Sequence, residues 1–260
     1  MADPNFATTV TLAQFQKVGL TIAKVHAVEL NRTTTIPSYR FDLDLGPSLT
    51  TEHSNLTRKM HYVSSAQLCS NHELSELQEQ LVMCVYNVPR KQIGKVMSDC
   101  LIAGAQEVLD DPAARRATTV FMKPADPVTP GAQIGLLAEE NAYAINERNL
   151  DWNEFTALDL RIGTVVSVTL KTSSMEEELL LIEMEVDLGG SVTRQAIGLV
   201  RKKFNIESLI RRQVMVLANF DSEEISRYFH GSDADVVLCT VAGKTFVEPA
   251  KVVANGYKIA

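Results

Sequence analysis

The chain has 260 residues, of which 45% are hydrophobic, and a formal net charge of −7 at pH 7. This composition is typical of a globular protein with one or two domains, each large enough for a core of its own. The acidic balance excludes a protein that binds nucleic acid through an overall positive charge. Acidic residues outnumber basic ones in both halves, so any such binding must depend on local basic patches.

The first residues and the cysteines indicate the cellular compartment in which we expect the protein. No stretch approaches the roughly 18 to 20 apolar residues that a membrane-spanning helix needs. The start, Met1 to Pro4, lacks the basic and then apolar order of a secretory signal. We therefore expect a cytoplasmic protein that does not enter a membrane. The cysteines lack the spacing of a disulfide framework or a zinc site, which favours small buried side chains. They are Cys69, Cys84, Cys100 and Cys239.

In the first half, the pattern predicts short strands and one small helix. Residues 40–45 alternate between polar and apolar side chains, which is typical of a half-buried strand. The continuous apolar run 81–86 indicates a central strand that is covered on both faces. Between these strands we expect a helical stretch over 68–81. The segment 87–98 is basic and is predicted to be an exposed loop at the edge of the fold.

The second half repeats this order. Residues 182–188 alternate, 204–212 predict a helix, and 214–218 form a second continuous apolar run. An internal repeat of this size indicates a duplicated domain. Matching landmarks are Phe15 with Phe155, Gly46 with Gly189, and Asn87 with Asn219.

The repeated pattern also predicts the architecture. Many short strands, a small helix and Pro/Gly turns in each half favour a closed β-barrel of the oligonucleotide/oligosaccharide-binding (OB) type. The predicted fold class is therefore all-β, a β-barrel with short helices, in two tandem OB-fold domains. We place the first domain at 8–137 and the second at 151–260. The polar and acidic segment 138–150 is predicted to be the linker.

Two sets of motifs, one in each half, carry a family resemblance. In the second half they are Phe155, Leu158–Gly163, Glu185–Gly189 and Arg194–Leu199. In the first half they are Asn87–Ser98, Cys100–Ala103, Lys123-Pro124 and Pro130-Gly131. These motifs resemble the tRNA-binding domain found in the chaperone CsaA, at the C-terminus of some methionyl-tRNA synthetases and in endothelial monocyte-activating polypeptide II. The resemblance covers nearly the whole chain and implies OB folds that bind tRNA and pair with each other.

The halves depart from the family pattern in different places. Gly19, Thr21 and Ala23 stand where the family has Asp, Arg and Gly. In the second half the basic loop has become acidic at 221–224, and His230 stands at the family Ser. Because a change from Lys to Glu replaces attraction to phosphate by repulsion, we expect the first half to hold any RNA.

Two groups of residues are candidates for RNA contact, with a plainly solvated surface as the alternative for each. The first group combines the basic residues of the predicted exposed loop in the first half with the Asn and Ser positions that match the family. It comprises Ser64, Asn87, Arg90, Lys91, Lys95 and Ser98. The second group follows the best-preserved stretch of the second half. It comprises Arg194, Arg201, Lys202 and Lys203, with Arg211 and Arg212 nearby.

Other residue types support neither base stacking nor catalysis. Tyr39, Phe41 and Tyr62 are the few aromatic candidates in the first half, and Phe41 is expected in the core. Recognition of a folded RNA by its shape and backbone therefore fits this sequence better than binding of a single strand. Asp159 and Arg161 are expected to form an ion pair or a cap. Without a phosphate-binding Gly-rich loop, a nucleophile with a base or metal-ligand spacing, we expect a non-enzyme with no cofactor and no metal.

The sequence thus predicts a non-catalytic tRNA-binding auxiliary protein whose fused barrels form a pseudo-dimer within one chain. The alternative is a scaffold of an aminoacyl-tRNA synthetase assembly or a CsaA-like chaperone that binds peptides. Net acidity, few aromatics and the acidic second loop favour that alternative. The expected partners are structured tRNA and either synthetases or other proteins, and both a monomeric pseudo-dimer and a homodimer stay open.

Overall fold

Strands make up most of the regular structure in a computed structural model of the chain, which describes residues 8–46, 61–106, 119–138, 150–173, 178–190 and 193–260. Within these ranges, no helix combines the length and the apolar character required to cross a bilayer. In the first half the elements are α1 (Leu12–Gln16), β1 (Leu20–Asn31), β2 (Ser38–Asp44), β3 (Tyr62–Ala66), α2 (Leu74–Leu77), β4 (Leu81–Val85), β5 (Lys91–Ile93), β6 (Val96–Ser98), β7 (Leu101–Ile102), β8 (Gly104–Gln106), β9 (Thr119–Pro124) and β10 (Ile134–Gly135). In the second half they are α3 (Trp152–Thr156), β11 (Leu160–Ser173), β12 (Leu179–Asp187), β13 (Thr193–Arg201), a 3-10 helix (Ile206–Leu209), β14 (Gln213–Leu217), α4 (Ser222–Tyr228), β15 (Val236–Leu238), β16 (Thr240–Val241), β17 (Thr245–Pro249) and β18 (Lys258–Ile259).

Five strands of the first half form a barrel. They lie in the order β3-β2-β1-β4-β7, and each neighbouring pair is antiparallel. The two ends of this sheet meet where the Asp99 amide donates to the Val63 carbonyl at 2.7 Å. In return, the Val63 amide donates to the Asp99 carboxylate at 3.1 Å. Five strands with a short helix between the third and the fourth form the partly open barrel of the OB fold.

The second half has the same arrangement. Its strands lie in the order β11-β12-β13-β15-β14, and β14 also pairs with β11, which closes the ring. Asp235 and Gln195 exchange the same two hydrogen bonds as Asp99 and Val63, at 2.8 and 3.2 Å. The predicted fold class is confirmed: the protein is all-β and contains two OB-like barrels.

The predicted strands are present with the expected faces. The apolar residues of 40–45 and 182–188 are buried, as the alternation indicates, and the runs 81–86 and 214–218 are buried along their length apart from Leu81. The two helices are shorter than the predicted 68–81 and 204–212. Each is followed by a residue in the left-handed region, Glu79 (φ 63°) or Arg211 (φ 65°), which an α-helix does not accommodate.

The two halves exchange segments in a reciprocal way. The Val10 amide donates to the Asn219 carbonyl at 2.8 Å, and the Leu150 amide donates to the Asn87 carbonyl at 3.2 Å. Strand β10 of the first half pairs with β16 of the second, and β18 pairs with β8. Apolar side chains of both halves form one shared core, while each barrel also keeps a cluster of its own. Each half therefore supplies strands that pair with the other half and side chains that fill the shared core.

Strands β9 and β17 pair across the middle of the molecule. Lys123 lies opposite Glu248, and the residue pairs on either side are related by exchanging the halves. The ammonium of Lys123 is 3.6 Å from Glu248 Oε1, and Arg212 also pairs with this carboxylate. Because identical halves would place identical charges at this point, the opposite charges favour the pairing of unlike halves.

A buried asparagine ties down the entry to each barrel. Asn87 Oδ1 accepts a hydrogen bond from the Gly19 amide at 2.9 Å, and its Nδ2 donates to the Lys17 carbonyl at 2.7 Å. Asn219 makes the same two bonds in its own half and donates a third to the Thr8 carbonyl at 2.7 Å. The match between Asn87 and Asn219 in the sequence is thus a match in structural role.

The cysteines are free thiols. Cys84, Cys100 and Cys239 are buried, in line with the prediction, and Cys69 is half-buried. Burial raises the pKa of the Cys84 and Cys239 thiols, which keeps both protonated at neutral pH. Across the ranges that the structure describes, no group of His, Cys, Asp and Glu side chains is arranged to hold a metal ion.

The domain boundaries stay a prediction. The exchange of β10 and β18 means that a cut at 137 or 151 separates sequence segments and not independent cores. Residues 139–149 of the predicted linker lie outside the described residues.

His72 occupies the place in the first barrel that Phe204 occupies in the second. Its ring is 4.8 Å from that of Phe121, and the Phe204 ring is 6.3 Å from that of Phe246. Burial, reinforced by the charge of Lys251, lowers the pKa of His72 from 6.5 to about 4. The folded protein therefore resists a proton that the unfolded chain accepts.

This difference predicts a loss of stability in acid. Above pH 6.5 both states hold neutral imidazole, so His72 contributes nothing to the pH dependence; as the pH falls from 6.5 towards about 4, only the unfolded chain gains the proton. We expect His72→Phe to remove this loss, so that the variant gains stability over the parent at about pH 5 more than at about pH 7.5. Urea unfolding at both pH values measures it. An equal change at the two pH values would contradict the assignment.

Candidate nucleic-acid interface

A basic groove lies on the first barrel, where β2 and β3 meet the chain between β4 and β7. Its volume is about 420 Å³. OB barrels bind oligonucleotides on the face of their second and third strands, between the loops that border it. We call this surface the first-half groove. It is lined by Arg40, Val63, Arg90, Lys95, Val96, Met97 and Asp99.

The basic segment predicted as a loop at 87–98 is a β-hairpin. Strands β5 and β6 pair so that Lys91 lies opposite Ser98. The turn contains Gly94 at φ +63°, and a Cβ there would lie 2.4 Å from Thr33 Oγ1. The Lys95 amide donates to the same Thr33 hydroxyl at 2.8 Å. The loop between β1 and β2 therefore holds the hairpin tip and sets the position of Lys95.

The basic side chains exposed on the hairpin differ in their ion-pair partners. Arg90 Nε is 2.9 Å from Asp99 Oδ1, and the Asp99 side chain is 2% exposed. Because Asp99 also closes the barrel through Val63, the same carboxylate orients Arg90. Lys91 and Lys95 are exposed and form no ion pair with any residue that the structure describes. No described carboxylate therefore competes with an external anion for their ammonium groups.

The other three residues of the first candidate group lie beneath the surface. Ser64, Asn87 and Ser98 are 0%, 1% and 5% exposed. The hydroxyls of Ser64 and Ser98 donate to the Cys100 carbonyl at 2.9 and 2.8 Å, where β3 meets the start of β7. The amide of Asn87 is used at the barrel entry. These residues support the groove from behind and do not line it.

The aromatic candidates near the expected binding face point inwards. Tyr39, Phe41 and Tyr62 are buried, and the Tyr39 hydroxyl donates to the His72 carbonyl at 3.0 Å. Tyr39 and Tyr62 therefore do not present their rings for base stacking, because both share the inner face of their strands with Phe41. The exposed apolar side chain of the groove is Met97, which is 49% exposed.

The equivalent loop of the second half is helix α4. Asp221 begins it as an N-cap and accepts hydrogen bonds from the Glu223 and Glu224 amides at 3.0 and 3.1 Å. The Glu224 carboxylate also accepts from the Leu12 amide of the first half, and Ile225 is buried in the shared core. The acidic first turn suits the positive end of a helix. This loop stabilises the contact between the halves, and its acidic residues outnumber its basic residue Arg227.

The second candidate group is divided by the structure. Arg194 and Arg201 lie near opposite ends of β13, which at about 3.3 Å per residue separates them by roughly 23 Å. Arg201, Lys202 and Lys203 line a cavity with Lys244. Arg212 instead pairs with Glu248.

The predicted ion pair of the second barrel is confirmed. Arg161 Nη2 lies 2.9 Å from Asp159 Oδ2, and Lys258 Nζ is 3.1 Å from Asp159 Oδ1. Asp159 is fully buried, so both cations compensate its charge.

The sequence carries no local signal for some residues of the first-half groove. Arg40 sits among alternating strand residues, Met97 looks like an ordinary strand position, and Asp99 follows the hairpin. The alternation of β2 places Arg40 on the outer face, but nothing local shows that this face meets the hairpin.

The fold and the groove together define a protein with two OB-like barrels, one of which carries a basic groove beside its second and third strands. No protein-family model matches the chain. A methionine–tRNA ligase of Methanococcoides burtonii is 36% identical over 70 residues, which are 27% of this chain and 10% of the ligase. The chain thus matches about a tenth of the length of that relative. The match confirms the resemblance to the tRNA-binding domain family.

Solved structures are also similar to the chain. The CsaA chaperone protein from Picrophilus torridus is 22% identical, with a TM-score of 0.36, and covers 48% of this chain and 97% of its own. The C-terminal domain of Plasmodium vivax p43 is 9% identical, with a TM-score of 0.42, and covers 90% of this chain and 98% of its own. A protein from Pyrococcus horikoshii related to methionyl-tRNA synthetase is 20% identical, with a TM-score of 0.33, and covers 42% and 96%.

Proposed function

We propose that this protein is a non-catalytic auxiliary factor that binds tRNA through the first-half groove. The observation that carries the proposal is the placement of Arg40, Arg90 and Lys95 around one groove of an OB barrel in a chain of net charge −7. Lys91 is exposed on the same hairpin as Lys95. On a protein of net negative charge, phosphate binding concentrates where the surface is locally positive.

The form of the groove favours folded RNA over a single strand. Single-strand binding by OB folds uses aromatic side chains on which bases stack. Here the nearby tyrosines are buried and Met97 is the exposed apolar side chain. Recognition of the sugar-phosphate backbone and shape of a structured RNA needs only the cations and the hydrogen-bond donors of the groove.

In the same proposal, the two barrels act as a pseudo-dimer within one chain. Reciprocal strand exchange and the opposite charges of Lys123 and Glu248 support it. In such a chain the surfaces that would join two copies are already paired with each other. Light scattering should therefore give the monomer mass of 28.7 kDa. A stable dimer that uses the same strands would contradict the pseudo-dimer.

One observation favours the alternative of a protein scaffold. Helix α4 carries an acidic surface at the place where the first barrel is basic, so the second half is unsuited to RNA at its own ligand face. A scaffold for synthetases, or a peptide-binding chaperone, would use such a surface to contact basic segments of other proteins.

Salt dependence separates the two functions. We expect tRNA affinity to fall by at least tenfold between roughly 50 and 200 mM salt, because phosphate contacts release counterions. Filter binding or fluorescence anisotropy with unfractionated tRNA measures the slope. A scaffold would show no tRNA binding at the lower salt concentration and would co-purify with proteins in place of RNA.

A further inference from the structure

A second basic cavity, separate from the first-half groove, lies on the other barrel. It has a volume of about 530 Å³, which is within the range of small-ligand sites. The described residues of its lining include four cations and one acid, within a half that is acidic overall. We call it the second-half cavity. It is lined by Glu178, Arg201, Lys202, Lys203, Phe204 and Lys244.

The backbone around this cavity fixes one of its cations. The Arg201 amide donates to the Gly243 carbonyl at 2.8 Å, and Arg201 Nε donates to the Ala242 carbonyl at 3.2 Å. Its Nη1 is 3.3 Å from Glu178 Oε2. Ala242 and Gly243 have φ values of 51° and 65°, and the first is unusual for a residue with a side chain. The strained turn therefore positions Arg201 and projects Lys244 beside it.

Two lysines add charge that no described residue neutralises. Lys202 and Lys203 are exposed and make no ion pair with a described residue. Phe204 follows them, half-buried, with its ring edge-on to that of Phe246. A cluster of cations beside an aromatic ring suits a ligand that combines a phosphate with a planar nucleobase.

The first half lacks this arrangement. Ser70 and Asn71 stand where the second half has Lys202 and Lys203, and His72 replaces Phe204. The Asn71 side chain is used internally, since its Nδ2 donates to the Thr119 carbonyl at 3.0 Å. The cavity is therefore a feature of the second barrel and not of the fold.

We propose that the second-half cavity binds a nucleotide unit, with the phosphate held by Lys202, Lys203 and Lys244 and the base beside Phe204. The phosphate belongs either to RNA or to a free nucleotide. In the first case the cavity is a second contact for the RNA of the first-half groove and rests on the proposed function. In the second case it is an independent ligand site.

The test combines two ligands with two matched variants. The cavity variant is Lys202→Ala, Lys203→Ala, Lys244→Ala. The control is Lys17→Ala, Lys24→Ala, Lys251→Ala, which removes the same charge from exposed lysines paired elsewhere with Glu side chains. Binding of unfractionated tRNA is measured by anisotropy, and binding of adenosine monophosphate by calorimetry.

If the phosphate comes from RNA, the cavity variant should bind tRNA about tenfold more weakly than the control and show a shallower salt dependence. If the ligand is a free nucleotide, the parent and the control should bind adenosine monophosphate and the cavity variant should not. Equal affinity of the cavity variant and the control for both ligands overturns the proposal. Failure of the proposed function is a distinct result, namely unchanged tRNA affinity when the first-half groove is altered.

Discussion

Replacing Arg40, Lys91 and Lys95 by alanine is expected to weaken tRNA binding by about 30-fold at roughly 100 mM salt, because the groove loses two cations and its hairpin loses a third. The side chains of Lys91 and Lys95 make no ion pair with a described residue, and among these residues Arg40 pairs with the exposed Glu29. The fold should therefore survive. Anisotropy titrations across a salt series measure the affinity and the slope.

The choice of residues follows from the structure. Arg90 is left in place because its removal would strip the buried Asp99 carboxylate of a charged partner and destabilise the barrel. The lysine control described above, with substitutions at 17, 24 and 251, makes the same change in net charge away from the groove. An equal loss of affinity in both variants would show a general charge effect, and no loss in either would remove the groove from the proposed function.

Replacing Asn219 by alanine is expected to lower the free energy of unfolding by about 3 kcal/mol, the largest stability effect among these predictions. The substitution leaves the Asp159 amide and the carbonyls of Ala157 and Thr8 without their partner. These groups are part-buried or buried where the first residues of the chain cross onto the second barrel. Chemical unfolding by urea, followed by circular dichroism, measures the change.

A second asparagine provides the control for this prediction. Asn205 begins the 3-10 helix on the surface and accepts one hydrogen bond from the Glu207 amide at 3.2 Å. Its replacement by alanine should cost about 1 kcal/mol, the usual value for a lost cap. Similar costs at both positions would mean that the contact between the amino-terminal segment and the second barrel adds little to stability.

The strands are predicted correctly where burial of one face produces an alternation of polar and apolar residues. At 40–45 and 182–188 the side chains alternate because a strand turns each successive residue to the opposite face, whatever its neighbours are. Helix length fails for a different reason. The patterns at 68–81 and 204–212 are compatible with longer helices, but Glu79 and Arg211 adopt left-handed backbone angles that the tertiary connections impose.

The candidate site shows the same division. Its charge is evident at 87–98, and so is the acidic change in the second half. The shapes of these loops are less evident, since the hairpin depends on Thr33 and α4 depends on buried contacts of Ile225. The residues beneath the groove, such as Ser64 and Ser98, resemble ligand contacts in the sequence because a motif does not record which way its side chains point.

The order of the strands, the duplication pattern and the position of the basic segment follow from local features of the chain: period, turn residues and charge. Which side chains share a surface does not, because that depends on pairing between residues far apart in sequence. Arg40 reaches Lys95 only after β2 and the hairpin have met, and Lys244 joins Lys202 only through the turn that follows β16. A barrel brings such residues together by closing, and closure is a property of all its strands at once.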